Sequence, residues 1–400
     1  IAALHALKES RRPEGIQRIP AFLSDPQPAV RFEAARWIAD HQLKQFRTAI
    51  ETALQKGDYD YRLFRAYLAT LDALDERKNP DRVNEAFALP ILKSADTPDT
   101  LRAHALRYLP NGHKALTHTQ LNRWLDSKEK TLQQETLWKL RHLTGDATAK
   151  TIRTIALDEK HDPSLRLAAV AAMGLRKAPN ADALMKIATG KSVTLRDESL
   201  RSLIGAPLEE DDKQRLTKLA SQHASAAPAI RRLLDQQFTS GRPAPTDTAA
   251  WLKRLDTLHE KADAAAGERI FFNQKIALCS RCHQVGERGT RVGPDLTVIG
   301  RRNNPKRLLE SILQPGKEVA PYMRPWTITL NDDSVHTGIA LRRGGNAEVY
   351  LGLDGKEIRL DKRKIKSKNE GRISLMPEGL ALTLTDRELR DLLAFLMAQQ

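Results

Sequence analysis

The sequence contains few cysteines, few aromatic residues and no long apolar run. Two cysteines in 400 residues exclude a disulfide framework. No stretch of about 20 apolar residues occurs, so the sequence predicts no transmembrane helix. Aromatic residues make up only 5% of the chain, which fits closely packed helices filled by Ala and Leu. We also find no Ser-His-Asp arrangement, phosphate-binding glycine loop or acidic metal cluster, so no motif argues for hydrolysis or group transfer.

The chain is rich in positive charge. Its formal net charge is +15, from 65 Lys and Arg against 50 Asp and Glu. Such a balance raises the possibility of nucleic-acid binding, but the cations are dispersed among acidic residues, so we do not expect a nucleic-acid partner. The densest basic segment runs from Arg359 to Lys368. Its lysines either protect a sheet edge from pairing or attract an acidic redox partner, and both interpretations stay open.

The two cysteines lie three residues apart, and a histidine follows them: Cys279, Cys282 and His283. This spacing attaches a c-type haem, since each thiol can form a thioether with one vinyl group and the imidazole then lies at the iron. A thioredoxin-like pair would open a helix after a strand, whereas a helical stretch precedes Cys279. A structural zinc site needs four ligands, and no histidines follow at finger spacing. The sequence therefore predicts one covalent haem c.

A second axial ligand is expected from a methionine. His and Met together are the ligands of electron-transfer haems, because a thioether favours the ferrous state. Met376 is the predicted ligand, since it precedes Pro377 and the last amphipathic helix, Thr385 to Met397. Met397 lies on the apolar stripe of that helix, so core packing accounts for it. Met323 is a further candidate without other support.

An ordered series of short motifs surrounds the cysteines. It consists of Ala266 to Phe271, the Cys-Ser-Arg-Cys-His motif, Gly293 to Leu296, Ile299 to Arg302, Ser311 to Pro315 and Met376 to Leu380. Through this series, the segment from about Ala264 to Gln400 resembles the cytochrome c-like haem-binding domain at the C-terminus of large secreted proteins of planctomycetes, verrucomicrobia and their relatives.

The resemblance implies electron transfer, often in proteins that also carry a sugar-dehydrogenase-like propeller, although no propeller is visible in this sequence. It also implies that the carbonyl of Pro294 accepts the Nδ1 proton of His283, which leaves Nε2 for the iron. Arg301 and Arg302 are candidates for contacts with the haem propionates, with ordinary surface charge as the alternative.

The first 240 residues contain an internal repeat. An apolar residue, a basic residue and then small and apolar residues recur in steps of about 30 to 40 residues, which indicates stacked helix pairs. The copies begin at Val30, Tyr61, Leu101, Leu132, Leu165, Leu195 and Ile230. They resemble HEAT repeats, above all where Asp25-Pro26 and Asp162-Pro163 are expected to cap and start the second helix. Such an array either offers a docking surface or only spaces the haem domain from something upstream.

Two further segments complete the organisation. Gly and Pro residues between Gly241 and Thr248 predict a linker, followed by a connecting helix from Ala249 to about Lys261. Between about residues 324 and 368 the pattern changes to β. Four strands are predicted, separated by Asn-Asp-Asp, Gly-Gly-Asn and Asp-Gly turns: Trp326 to Leu330, Val335 to Leu341, Ala347 to Leu351 and Glu357 to Leu360.

The sequence therefore predicts a mainly α protein. A HEAT-like α-solenoid (1–240) and a connecting segment (241–262) precede a cytochrome c-like helical haem domain (263–400) with a small antiparallel β insertion. We expect electron transfer, with an acidic redox partner and an upstream dehydrogenase-like domain or protein as the redox environment. The alternatives are a haem peroxidase or gas-binding protein with an open sixth site, and a scaffold for protein, polysaccharide or nucleic acid.

A covalent haem also predicts where the protein is found. Because c-type haem is attached outside the bacterial inner membrane, we expect a periplasmic, cell-surface or secreted location. The sequence opens at Ile1 within a helical pattern and shows no signal peptide. We therefore expect it to be the C-terminal part of a larger secreted redox protein.

Overall fold

A computed structural model describes residues 2–10, 13–76, 85–176 and 180–399; Ile1 lies outside them. The protein is mainly α-helical with a small antiparallel sheet, as predicted at this level of detail. It divides into two compact units, residues 1–169 and 170–400. Within the described residues, no helix is long and apolar enough to cross a membrane.

The first unit is built from short helices. In chain order these are α1 (Ala2–Ser10), α2 (Pro13–Gln17), α3 (Ile19–Leu23), α4 (Pro28–Asp40), α5 (Arg47–Lys56), α6 (Tyr61–Leu74), α7 (Glu85–Lys93), α8 (Asp99–Tyr108), α9 (His118–Trp124), α10 (Lys130–Leu140) and α11 (Asp146–Leu157). The next helix, α12 (Pro163–Gly174), contains the division between the units. Consecutive helices pack in pairs, for example α7 with α8 and α9 with α10, over a core that is mostly Leu, Ile and Ala.

The second unit contains the remaining elements. Its helices are α13 (Ala181–Ala188), α14 (Val193–Ser202), α15 (Glu210–Gln222), α16 (Ala227–Leu233), α17 (Thr248–Asp256), α18 (Ala264–Phe271), α19 (Pro305–Leu313) and α20 (Asp386–Met397). Its strands are β1 (Gln284–Val285), β2 (Arg288–Gly289), β3 (Pro325–Leu330), β4 (Val335–Arg342), β5 (Ala347–Gly352), β6 (Glu357–Asp361) and β7 (Ile365–Glu370). Thr248 to Asp256 is shorter than the connecting helix expected from the sequence.

One polar contact recurs within the helix pairs, and it involves the repeat position that holds Arg in most copies and Gln133 in one. Arg102 of α8 donates to the carbonyl of Ser94, just beyond the end of α7. Three later helices repeat this contact with a carbonyl at or near the end of the preceding helix. The donors and their acceptors are Gln133 of α10 with Leu125, Arg166 of α12 with Ala156, and Arg196 of α14 with Ala188. The last carbonyls of a helix lack partners within it, so a donor at this position ties the two helices together.

The two Asp-Pro helix starts differ. Asp162 accepts a hydrogen bond from Ser164 N at 2.9 Å as α12 begins at Pro163, as predicted. The prediction for Asp25 is wrong, because α4 begins at Pro28 and its N-cap is Gln27, with no side-chain cap. Asp25 instead accepts from Gln27 N in the turn before the helix. The second proline of that segment, rather than the first, occupies the first helical turn.

The sheet confirms the four predicted strands and adds a fifth. The strand order is β6-β5-β4-β3-β7, and every pairing is antiparallel. Its core contains Ile328, Leu330, Tyr350 and Leu360. β7 pairs with β3 along Ile365–Glu370, although its alternating Lys, Ser and Asn side chains gave no apolar period.

Helices α18 and α20 cross closely in the second unit. A Cβ atom at Gly267 would overlap the carbonyl oxygen of Asp391, so only glycine allows this approach. The rings of Phe271 and Phe395 lie 5.5 Å apart beside the crossing. α20 begins with a capping box in which Thr385 and Glu388 satisfy each other's backbone N–H groups. This crossing brings the chain before Cys279 next to the chain after Met376.

Candidate functional site

The two cysteines lie in a tight turn. Cys279–Arg281 forms a single 3-10 turn, and the carbonyl of Cys279 accepts hydrogen bonds from Cys282 N at 3.1 Å and His283 N at 2.8 Å. Ala277 and Leu278 precede it with φ of 57° each, a left-handed conformation that is uncommon without glycine. The reversal places both thiols and the imidazole on one short loop after α18.

The imidazole of His283 is oriented by the Gly-Pro segment. Its Nδ1 lies 2.9 Å from the carbonyl oxygen of Pro294, the contact that the resemblance implies. Because a carbonyl can only accept, Nδ1 carries the proton and Nε2 has a lone pair. Among the described residues, Nε2 has no hydrogen-bond partner. Burial lowers the pKa of His283, an effect that the Pro294 contact opposes, so the neutral ring is favoured. A neutral imidazole with Nε2 available is the form that binds a metal.

Gly293 packs against the face of this imidazole. A Cβ atom at this position would lie 2.7 Å from Cε1 and 2.9 Å from Nδ1 of His283. Gly293 N also donates to the carbonyl of Cys282 at 2.6 Å, which fixes the backbone at this approach. The Gly-Pro pair therefore acts at two adjacent positions: the glycine leaves room for the ring and the proline carbonyl sets its rotation.

The chain around His283 closes on itself. Strands β1 and β2 form a small hairpin directly after His283, and Gln284 pairs with Asp295 as a parallel bridge. Leu296 N donates to the carbonyl of Gln284 at 2.8 Å, and Gly286 N donates to Thr297 Oγ1 at 2.9 Å. The histidine side of the site is thus held by contacts within about twenty residues of chain.

Both cysteines are free thiols, and the surroundings of the motif bear on the two alternatives. Burial raises the pKa of Cys279 to about 12 and also raises the pKa of Cys282. A thioredoxin-like cysteine has a lowered pKa and opens a helix after a strand, whereas this turn follows α18. Over the described ranges, no three or more His, Cys, Asp or Glu side chains group as metal ligands. Neither alternative is favoured by this geometry.

Met376 lies in the loop between β7 and the 3-10 turn Leu380–Thr383, and its side chain is half-buried. Its backbone N–H donates to Ser374 Oγ at 3.1 Å. Met323 ends the 3-10 turn Pro321–Met323 and Met397 ends α20, and both are also half-buried. The assignment of Met376 as an iron ligand stays a prediction.

The turn after Met376 is tied to the turn before Cys279. Ala277 N donates to Thr383 Oγ1 at 3.1 Å, and the same hydroxyl donates to the carbonyl of Leu380 at 2.7 Å. Arg232 donates to the carbonyl of Thr383, and Arg242 donates to the carbonyls of Ala381 and Leu384. These residues were not predicted from the sequence, because a main-chain acceptor leaves no pattern that pairs it with a distant arginine.

Arg301 and Arg302 are exposed and lie at the end of the 3-10 turn Ile299–Arg301. That turn is anchored at its centre, where Gly300 N donates to the carbonyl of Gln399 at 2.8 Å. Contacts of these two arginines with propionates stay a prediction.

The basic segment lies at the two edges of the sheet, on β6, β7 and the 3-10 turn between them. Several of its cations have acidic partners: Arg363 pairs with Asp361 at 2.6 Å, Lys366 with Asp333 at 2.6 Å and Lys368 with Glu348 at 2.7 Å. Lys362 and Lys364 are exposed, and the described residues include no ion pair to either. Edge protection and attraction of an acidic partner both stay predictions for this segment.

Comparisons with known proteins place the chain in no family. No family model matches the sequence, and no curated protein matches it.

Proposed function

We propose that the chain carries one covalently attached c-type haem and transfers electrons. The observation that carries the proposal is the contact of His283 Nδ1 with the Pro294 carbonyl, beside two free cysteines that stand three residues apart, the sequence spacing of haem c attachment. Cys279 and Cys282 would form the thioethers, and His283 Nε2 would be the proximal ligand. Met376 would be the distal ligand, and Arg301 and Arg302 would contact the propionates.

The residues present fit such a group. The bound haem would supply an iron that cycles between the ferric and ferrous states. The chain's own residues orient the ligand: the Pro294 carbonyl holds the Nδ1 proton and Gly293 leaves room for the ring. The second-shell acceptor also raises the basicity of the imidazole. A thioether on the opposite side would raise the reduction potential.

Two architectural proposals accompany this function. Residues 1–240 form a HEAT-like solenoid that acts as a scaffold or docking platform, supported by the recurring donor into the preceding helix end. Residues 263–400 form a cytochrome c-like domain, supported by the close crossing of α18 and α20 around the cysteine turn. The protein would have a periplasmic, cell-surface or secreted location. An acidic redox partner or an upstream dehydrogenase would exchange electrons with it.

Haem attachment is tested by a pyridine haemochrome spectrum. The chain is produced in a host with c-type maturation machinery, alone and as the Cys279→Ala/Cys282→Ala double variant. We expect a c-type spectrum with one haem per chain, and no covalent haem in the double variant. The proposal fails if the unaltered chain carries no covalent haem under these conditions.

The distal ligand is tested with the chain's own methionines as controls. Met376→Ala is expected to remove the weak sulfur-to-iron absorption band, whereas Met323→Ala and Met397→Ala retain it. The reduction potential of Met376→Ala should fall by on the order of 0.1 V, part of the range of about 0.8 V that axial ligands span. Rapid CO binding by the unaltered ferrous protein would instead indicate an open sixth site and favour peroxidase or gas-binding chemistry.

A further inference from the structure

We propose that Arg232, Arg242 and Thr383 are positioning residues that hold the methionine side of the site against the cysteine turn. This inference rests on the proposed function, because it concerns the methionine that would ligate the iron. It assigns a role in the redox site to α16 and the segment before α17, which were predicted to belong to the repeat domain and the linker.

The two arginines bind main-chain carbonyls of one turn. Arg232 Nη1 donates to the carbonyl of Thr383 at 2.9 Å. Arg242 Nη1 donates to the carbonyl of Ala381 at 3.2 Å, and its Nη2 donates to the carbonyl of Leu384 at 2.6 Å. Both side chains are at least 90% buried, so these bonds do not compete with bulk water. The turn that starts four residues after Met376 is therefore fixed at three carbonyls.

Thr383 connects this turn to the thiols. Its hydroxyl accepts from Ala277 N, two residues before Cys279, and donates to the carbonyl of Leu380 within the turn. Ala277 is itself buried and adopts a left-handed conformation, so its N–H has a defined direction. One hydroxyl thus sets the separation between the cysteine turn and the base of the methionine loop.

Arg232 and Arg242 are themselves held in place by buried ion pairs. Glu388 accepts from Arg232 Nη1 at 2.5 Å and Nη2 at 2.9 Å, and Asp386 accepts from Arg242 Nε at 2.9 Å. Glu388 also lies 3.6 Å from Arg201 Nη1 on α14. Because these charges lie out of water, the guanidinium groups are restricted to one orientation.

The consequence concerns the equilibrium between bound and released methionine. A loop that ends on a fixed turn loses less conformational entropy when its methionine binds, so the turn favours the ligated state. Removing one buried hydrogen bond from this arrangement should shift the equilibrium about tenfold toward release. The attached haem itself should stay, because the thioethers do not depend on this turn.

The hydroxyl is tested by Thr383→Val, which keeps the shape of the side chain, and by Thr383→Ser, which keeps the hydroxyl. We expect Thr383→Val to retain one haem per chain, weaken the sulfur-to-iron band and raise the fraction of ferrous haem that binds CO about tenfold. Thr383→Ser should restore the unaltered behaviour. Thr70→Val is the control, since Thr70 is a buried threonine bonded to the Ala35 and Ala66 carbonyls of the first unit.

The arginine contacts are tested by Arg242→Lys against Arg254→Lys. Both arginines pair with Asp386, but only Arg242 donates to the carbonyls of the turn, and lysine cannot span them. Arg242→Lys should therefore raise CO binding and lower the reduction potential, whereas Arg254→Lys should change neither.

The outcomes separate the two proposals. Absence of haem or of the sulfur band in the unaltered chain contradicts the proposed function or its distal ligand. If the unaltered chain shows both, the positioning role is overturned when the fraction of ferrous haem that binds CO is no larger in Thr383→Val and Arg242→Lys than in the unaltered chain. Loss of covalent haem from Thr383→Val would also overturn it, because a positioning role leaves attachment intact.

Discussion

The histidine side and the methionine side of the candidate site are held in different ways. His283 is oriented by Pro294, eleven residues later in the chain, and the surrounding bonds are all local. The turn after Met376 is held by Arg232 and Arg242, whose bonds span 139 to 151 residues. One side depends on the shape of a short loop, and the other depends on buried charge contributed by α16 and by the segment that follows it.

This difference determines how each side should respond to change. The local side contains close backbone approaches, so it should be sensitive to added volume. The long-range side contains carboxylates and guanidinium groups at low exposure, so it should be sensitive to lost charge and to pH. Substitutions that act on only one of these properties therefore test the comparison directly.

The largest expected effect on the free energy of unfolding comes from a substitution on the long-range side, at Glu388. Burial alone would raise the pKa of Glu388, but the Arg232 and Arg201 guanidinium groups outweigh it and hold the pKa at about 2. Glu388→Gln preserves the capping box with Thr385 and removes only the charge, so the buried Arg232 loses its carboxylate partner whereas Arg201 keeps its ion pair with Glu198. We expect the free energy of unfolding at pH 7 to fall by about 3–5 kcal/mol in urea titrations.

The matched control for Glu388→Gln is Glu76→Gln, which breaks the exposed ion pair with Lys44. Its unfolding midpoint should stay that of the unaltered protein, because water screens such a pair. Equal losses in the two variants would show that burial does not distinguish them. The long-range side would then need another source of rigidity.

The same contrast explains what the sequence could predict. Cys279, Cys282, His283 and Pro294 lie within sixteen residues of one another, and the resemblance carried by these residues implied the Nδ1 contact. Four strands were predicted because apolar residues alternate along them. β7 was missed, since an edge strand of Lys, Ser and Asn side chains carries no such alternation.

The long-range side could not be predicted from these patterns. Gly and Pro around Arg242 are typical of an exposed linker, yet the Arg242 side chain is only 5% exposed and bonded to three acceptors. Two of those acceptors are main-chain carbonyls. Because every residue has one, no side-chain pattern in the sequence predicts which carbonyls Arg242 binds. The predicted boundary at 240 stays a prediction, although α13–α16 and the C-terminal elements belong to one compact unit.

The second largest expected effect, also on the long-range side, is a dependence of the free energy of unfolding on pH. Burial raises the pKa of Asp391 to about 6, although Arg387, Arg201 and Arg390 lie near enough to oppose it. The folded carboxyl therefore holds its proton more tightly than the unfolded one. Its contribution to stability is complete below about pH 4 and is lost as the pH rises through 6.

Asp391→Asn should remove this dependence. The amide oxygen can still accept from Asp263 N, so at pH 7 the variant should be more stable than the unaltered protein by about 2–3 kcal/mol. At pH 4 the two should unfold at the same urea concentration. A gain of equal size at both pH values would contradict the assigned protonation.

The third effect tests the local side through volume. Gly293→Ala places a methyl group 2.7 Å from His283 Cε1, so either the ring or the loop must move. We expect a loss of about 1–3 kcal/mol in the free energy of unfolding, with an altered Soret spectrum in the haem-loaded protein. Gly316→Ala is the control, since a Cβ there meets nothing within 4 Å. Equal stability of the two variants would show that the imidazole is not confined by Gly293.

The smallest effect lies outside both sides, on the basic edge of the sheet. The turn between β5 and β6 reaches the histidine loop, because a Cβ at Gly355 would lie 3.9 Å from Val292 Cγ2. Lys362 and Lys364 follow β6, and their charge is not compensated by a described ion pair. Replacing both by Gln should slow the reduction of ferricyanide by the ferrous protein roughly two- to fivefold at low salt, because attraction of this anion is weakened.

High salt should abolish that difference, and Lys366→Gln should have less effect because Asp333 already offsets this charge. Unfolding should be unchanged in both variants, since exposed lysines contribute little to stability. If Lys366→Gln slows the reaction equally, the total charge of the segment, rather than Lys362 and Lys364 in particular, attracts the anion.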